Sequence, residues 1–188
     1  MNGSILANRS AIDRNKTDFY ETPVEVTEAL LDFLEERGLL YSDIWEPACG
    51  RGKMSELMRS RGYTVVCTDL HDHGYGEAGV DFLTEDRDCS WIITNPPFSQ
   101  ATQFVKHALE LNRNCAFLVK SQFWHAKTRL ELFREHPPSY VLPLTWRPDF
   151  LFGAKYGSPT MECCWVVWKT GMSISYARYI PLEKPAKK

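Results

Sequence analysis

Asn95-Pro96-Pro97-Phe98, which follows the apolar run Trp91-Ile92-Ile93-Thr94, is the most informative stretch of the chain. Two consecutive prolines bring no N–H to a central ladder, and each pushes the residue before it out of the helical region. Strand pairing must stop there, leaving an extended chain in which the Asn95 amide oxygen and the Pro96 carbonyl can accept hydrogen bonds, with the Phe98 ring beside them. Two fixed acceptors on one planar NH2 group hold its N–H bonds out of plane and stabilise the positive charge that grows on nitrogen as it takes a methyl group. Asn95, Pro96, Pro97 and Phe98 are therefore the candidate catalytic residues, with Phe98 stacking on a flat substrate such as a base. An activated methyl donor makes a protein nucleophile or a metal unnecessary, and alignment is the protein's task. A base paired in a duplex cannot reach such a pocket, so its nucleotide must be flipped out or already single-stranded.

A second stretch, Glu46-Pro47-Ala48-Cys49-Gly50-Arg51-Gly52, leads from a short strand into a helix that begins near Lys53. Gly50 and Gly52 allow a tight turn and a close approach of backbone to a ligand, although an ordinary strand-to-helix turn would look much the same. Asp69, at the end of the next strand and 23 positions after Glu46, falls where an acid bonds ribose hydroxyls in dinucleotide-type units. The third glycine of a pyrophosphate-binding fingerprint is missing. S-adenosyl-L-methionine, a nucleoside cofactor with no pyrophosphate, fits this loop better than a nicotinamide dinucleotide.

Alternating elements must position these two loops. Val26, Leu30, Leu31 and Leu34 share one face of a helix over 24–37, and further helices fit 53–61, 100–112 and 126–135. Strands are expected at 43–45, 64–68, 80–82, 90–94, 115–120, 140–144 and 163–169, the last holding Trp165 and Trp168 as core residues. Strand-helix alternation requires crossovers, which give an α/β, Rossmann-like, doubly wound and mainly parallel seven-stranded sheet with helices on both faces. Ligands then bind beyond the carboxyl ends of the strands, near the switch in strand order.

With 188 residues, 44% apolar and 24% charged, the chain has the size and core of a single domain, residues 1–17 and 181–188 being expected as loosely ordered tails. No apolar stretch is long enough for a membrane span and the N-terminus lacks a secretory leader, so a cytoplasmic location is expected. The six cysteines are scattered with no Cys-x-x-Cys pair and read as buried free thiols, and His71-Asp72-His73 reads as a polar turn, so no metal is expected. The net charge of −2 divides unevenly: residues 1–99 carry 9 Lys/Arg and 18 Asp/Glu, residues 100–188 carry 13 and 6. A later half at +7 suits a polyanion, although two solvated faces of one domain would give the same count.

With both motifs in this order, the chain resembles the S-adenosylmethionine-dependent adenine-N6 DNA methyltransferases, including the small Dam-like enzymes of bacteria and phages, in their gamma-type arrangement. The resemblance runs from residue 18 to about residue 170. It implies that Glu46, Pro47, Ala48, Gly50 and Gly52 form the cofactor loop, that Asp69 binds the cofactor ribose, and that Asp81 and Phe82 flank its adenine. Asp18-Phe19-Tyr20-Glu21-Thr22-Pro23 is similar to the family segment that touches the methionine end, which adds Tyr20 and Thr22 to the cofactor set together with Asn95. Thr22-Pro23-Val24-Glu25 also reads as a capping box, with proline at the first helical position. Larger family members carry a separate target-recognition domain, and this chain is expected to have none.

The same Asn-Pro-Pro-Phe/Tyr motif occurs in RNA base methyltransferases and in enzymes that methylate a protein glutamine amide, so these stand as alternatives. A catalytically silent cofactor- or nucleic-acid-binding module is a further one. On the substrate side, Ser121-Gln122-Phe123-Trp124-His125 and the aromatic-basic loop 146–159 are candidates, with Arg147, Phe150 and Lys155 as nucleic-acid contacts. DNA is the expected partner, with RNA as the other.

Overall fold

The computed structural model describes residues 21–40, 43–150, 161–172 and 176–186. In chain order these form α1 (Val24–Glu36), β1 (Asp43–Glu46), α2 (Lys53–Ser60), β2 (Thr64–Asp69), β3 (Glu77–Ala78), β4 (Trp91–Thr94), α3 (Ala101–Glu110), β5 (Asn114–Lys120), α4 (Leu130–Glu135), β6 (Tyr140–Pro143), β7 (Cys163–Trp168) and β8 (Arg178–Tyr179). The sheet order is β3-β2-β1-β4-β5-β7-β6-β8. Strands β3, β2, β1, β4 and β5 run parallel to one another, whereas β7 runs antiparallel to both β5 and β6.

Side chains alternate across the sheet and so build two cores. Ile44, Ile93, Leu118 and Trp165 pack under α1 and α2, against Val26, Leu30, Leu34 and Met58. Trp45, Ile92, Phe117 and Val166 pack on the other face, against Phe104, Val105 and Ala108 of α3. The central strands are buried from both sides, which is why they read as continuous apolar runs. Their indoles still find acceptors: Trp165 Nε1 donates to Val26 O at 2.9 Å, and Trp45 Nε1 to Thr68 Oγ1 at 2.9 Å. All six cysteines are buried and unbridged.

Several expectations need correction. Among the described residues the sheet has eight strands, because β3 and β8 add two-residue edges while 80–82 forms no strand. Gly79, at φ +77°, ends β3, and Asp81 then closes its own turn, its Oδ1 accepting Leu83 N at 3.0 Å and its carbonyl accepting Thr84 N at 3.0 Å. The helix expected over 126–135 divides into a 3₁₀ turn at Lys127–Arg129 and the shorter α4. The stretch from 181 onward does not begin as a loose tail: Leu182 is buried, donates to Pro143 O at 2.8 Å and accepts Thr145 N at 3.1 Å.

No capping box opens α1. The residue before the helix is Pro23, no side chain caps it, and Thr22 is engaged elsewhere.

Candidate active site

After β1 the chain continues through β2 and β3 on one side, then returns to β4 on the other side of β1. The carboxyl ends of β1 and β4 thus diverge at the switch in strand order, where loops leave in opposite directions and a cleft opens. This cleft, of about 290 Å³, is lined by Thr22, the 46–51 loop, Asp69, Val80-Asp81-Phe82 and Asn95-Pro96-Pro97-Phe98. Two loops nearly fifty residues apart in sequence therefore share one cavity with the end of β2.

Backbone conformation shapes the first loop. Gly50 and Gly52 have φ of +52° and +81°, and Gly52 forms the left-handed entry to α2. A Cβ on Gly52 would lie 2.3 Å from the Tyr75 ring. Asp69 holds the loop from the side: its Oδ2 accepts Gly50 N at 2.9 Å and its Oδ1 accepts His71 N at 2.8 Å. Each carboxylate oxygen keeps a further lone pair, so two fixed acceptors of opposite-facing capacity stand at the end of β2.

Glu46 forms the floor. It is fully buried, accepts a hydrogen bond from Ser55 Oγ, and burial pushes its carboxyl up to about 8, with Asp69 nearby adding to the rise. Ser55 in turn accepts from Cys67 Sγ at 2.9 Å, so the loop is tied to β2 through α2. Burial likewise pushes the Cys49 thiol up to about 12, which keeps it unreactive.

On the opposite wall, Asn95 Nδ2 donates to Thr22 Oγ1 at 3.1 Å. This orients the amide with its carbonyl end turned away from Thr22. Pro97 O accepts Gln100 N at 2.8 Å in the turn that begins α3, whereas among the described residues no donor reaches Pro96 O. Phe98 lies half-buried in the cleft wall. Phe82 is 2% exposed and packed against Trp45 and Phe104, with centroid separations of 5.0 and 4.7 Å, so only its edge is offered to a ligand.

The structure therefore gathers Thr22, Glu46, Pro47, Ala48, Gly50, Asp69, Asp81, Phe82, Asn95, Pro96, Pro97 and Phe98 around one cleft, with Gly52 just behind it. Tyr20 and Lys155 lie outside the described residues. The nucleic-acid set fares less well. Phe150 is 6% exposed and belongs to the core under α1, so it offers no ring to a base. Arg147 is exposed but pairs with Glu162 at 2.7 Å, beside a separate concavity that also includes Ser121 and Trp146. In the 121–125 turn Phe123 is core as well, with the Arg129 guanidinium 4.7 Å from its ring centroid.

Three contacts at the site were not evident from sequence. Thr22 orients Asn95 across 73 positions, Glu21 pairs with Lys53 at 3.4 Å and Arg51 at 3.9 Å, and Lys120 Nζ lies 4.1 Å from the Phe98 ring centroid. Thr22 and Glu21 lie in the segment whose resemblance implies a contact with the methionine end of the cofactor, and Lys120 left a trace as a lysine closing the apolar run Cys-Ala-Phe-Leu-Val.

No family model matches the sequence, and no curated protein matches it. Solved structures do. A proposed RNA methyltransferase from Pyrococcus horikoshii superposes with a TM-score of 0.66 at 15% identity, covering 82% of this chain and 88% of the other. Magnesium protoporphyrin IX methyltransferase from Synechocystis PCC 6803, solved with S-adenosylmethionine bound, gives 0.54 at 12% identity, covering 78% and 79%. A modification subunit of a proposed type I restriction enzyme from Vibrio vulnificus gives 0.56 at 14% identity, covering 93% of this chain and 49% of the subunit. The fold is thus the Rossmann-like fold of S-adenosylmethionine-dependent methyltransferases. Neighbours with such different named targets leave the substrate to be argued from the site.

Proposed function

We propose that this chain is an S-adenosylmethionine-dependent methyltransferase acting on the exocyclic amino group of a nucleobase, adenine N6 in DNA. The observation that carries the reading is the Asn95 amide, fixed by Thr22 Oγ1 at 3.1 Å next to a Pro96 carbonyl that no described donor satisfies. These are two rigid acceptors at the wall of a cleft whose other end offers a carboxylate, Asp69, and an apolar edge, Phe82.

The cleft suits the cofactor. Asp69 has lone pairs that would take two ribose hydroxyls, Val80 and Phe82 would give an apolar surface for adenine with Asp81 beside them, and Glu46 would face the cationic end. S-adenosylmethionine supplies a methyl group already activated on a sulfonium. The protein's part is to hold the amine. Asn95 Oδ1 and Pro96 O would take its two hydrogens, turning the nitrogen lone pair away from the ring and toward the methyl group. Both acceptors strengthen as positive charge develops on nitrogen, so they stabilise the transition state more than the ground state. Phe98 offers its face to the base, and the excess proton leaves to water.

The test is transfer of labelled methyl from S-adenosylmethionine to unmethylated DNA, to RNA and to a protein extract in parallel, with Asn95→Ala as control and nucleoside analysis of the product. N6-methyladenine in DNA, absent with the variant, is the expected result. Label only in RNA or in protein would keep the site and move the substrate, and no transfer to any of them would leave a cofactor- or nucleic-acid-binding module.

A further inference from the structure

Lys120 is the last residue of β5, the strand beside β4, and it is half-buried. Its ammonium lies 4.1 Å from the Phe98 ring centroid. Phe98 lines the cleft and Lys120 does not, so the cation meets the ring outside the cofactor space. Among the described residues it has no carboxylate within ion-pair distance and donates no hydrogen bond. An ammonium carries three donors and is strongly hydrated, and a ring face replaces only part of that hydration.

Two arginines described at this end of the sheet are engaged. Arg129 donates to Phe123 O at 2.6 Å, Gln122 O at 3.4 Å and Thr102 Oγ1 at 3.4 Å, and so braces the turn after β5. Arg147 is held by Glu162. Among the described residues, Lys120 is thus a cation in direct contact with the Asn95-Phe98 wall whose donors are uncommitted.

We propose that Lys120 is a phosphate-binding subsite beside the target-base pocket, taking the phosphodiester of the nucleotide whose base stacks on Phe98. This rests on the nucleic-acid reading above. A nucleotide's phosphate lies one sugar away from its base, and the long flexible stem of lysine can swing from the ring it touches to a group at that distance. The electrostatics favour the same partner. An unneutralised cation close to the target amine would oppose the positive charge that the nitrogen acquires, whereas a lysine paired with phosphate is neutral toward it. Such a contact positions the nucleotide without reading its sequence, and it explains why a cation closes an otherwise apolar strand.

The experiment compares wild type, Lys120→Gln and Lys120→Arg in methyl transfer to unmethylated genomic DNA over a salt series, with cofactor affinity and melting temperature measured on each. Lys120→Gln should raise KM for DNA about tenfold rather than lower kcat, as loss of a charged hydrogen bond does. It should also reduce the slope of log kcat/KM against log salt by about 0.7 to 0.9, the counterion share of one phosphate. Lys120→Arg should restore the slope, and cofactor affinity should not change. A slope equal to wild type in Lys120→Gln overturns the subsite, and a fallen kcat with that unchanged slope assigns Lys120 to propping the Phe98 ring. A wild-type enzyme that methylates protein but no nucleic acid removes the parent reading and the subsite with it.

Discussion

The Asp69 carboxylate accepts the Gly50 backbone N–H at 2.9 Å, so the acid that ends β2 also braces the loop that follows β1. Its other oxygen accepts His71 N at 2.8 Å. One side chain thus ties together the two strand ends that form the cofactor half of the cleft, and loop shape and ribose recognition become a single property. Asp69→Ala should weaken S-adenosylmethionine binding by more than about tenfold, since it removes charged hydrogen bonds worth roughly 1.5–3 kcal/mol each. The same change should lower the melting temperature by several degrees, because Gly50 N is left buried without its acceptor. Calorimetric titration and thermal denaturation test the two effects, and unchanged cofactor affinity in a folded variant would remove the ribose role.

Asn95 and Thr22 separate catalysis from orientation. Asn95→Ala removes an acceptor aimed at developing charge and should cost about 10²–10³ in kcat, with cofactor affinity nearly intact. Thr22→Val keeps the shape of a residue that is 4% exposed but takes away the oxygen that receives Asn95 Nδ2. A loosened amide should cost less, about tenfold in kcat, with KM little changed. Steady-state kinetics on the two variants decide, and a Thr22→Val enzyme with wild-type kcat would show that Asn95 is oriented by something else.

Much of this was legible in local sequence because the signals are local. Pro96 and Pro97 end a strand wherever they occur, Gly50 and Gly52 permit positive φ without help, and runs such as Cys115–Val119 can only be buried. The contacts that complete the site are not local. Thr22 reads as a helix-start residue and, by the resemblance, as a cofactor contact, and its support of Asn95 becomes visible only when the fold brings the two together. Phe150 reads as a loop aromatic available for stacking, and only its packing in the fold shows that it fills the core. Val80-Asp81-Phe82 has strand-like residue types, yet Gly79 and the Asp81 side chain turn the chain before a ladder can form.

Gly52 carries a steric prediction with two separable parts. Its φ of +81° costs an L-residue about 1–2 kcal/mol, and a Cβ there would meet the Tyr75 ring at 2.3 Å. Gly52→Ala should therefore destabilise by more than the conformational cost alone. The double variant Gly52→Ala/Tyr75→Ala should recover the clash and keep the 1–2 kcal/mol. Urea denaturation of the four members of this cycle measures both, and strict additivity would show that Tyr75 moves aside freely.

Glu46 links the site to pH. Burial raises its folded pKa from the ordinary 4.5 to about 8, so between those values the folded protein holds a proton that the unfolded chain has lost. Stability must then fall as pH rises through this window, because the unfolded state binds fewer protons. The contribution is complete below about pH 4.5 and gone once the pH passes about 8. Glu46→Gln preserves the hydrogen bond with Ser55 in a neutral side chain, and its urea midpoint relative to wild type should rise steadily from pH 5 to pH 9. A cationic cofactor beside Glu46 favours the carboxylate and should release the proton on binding. Titrations at pH 7 in buffers of different ionisation enthalpy should show net proton release with wild type and little with Glu46→Gln. Equal release from both would place the ionisation elsewhere and leave Glu46 as a structural floor.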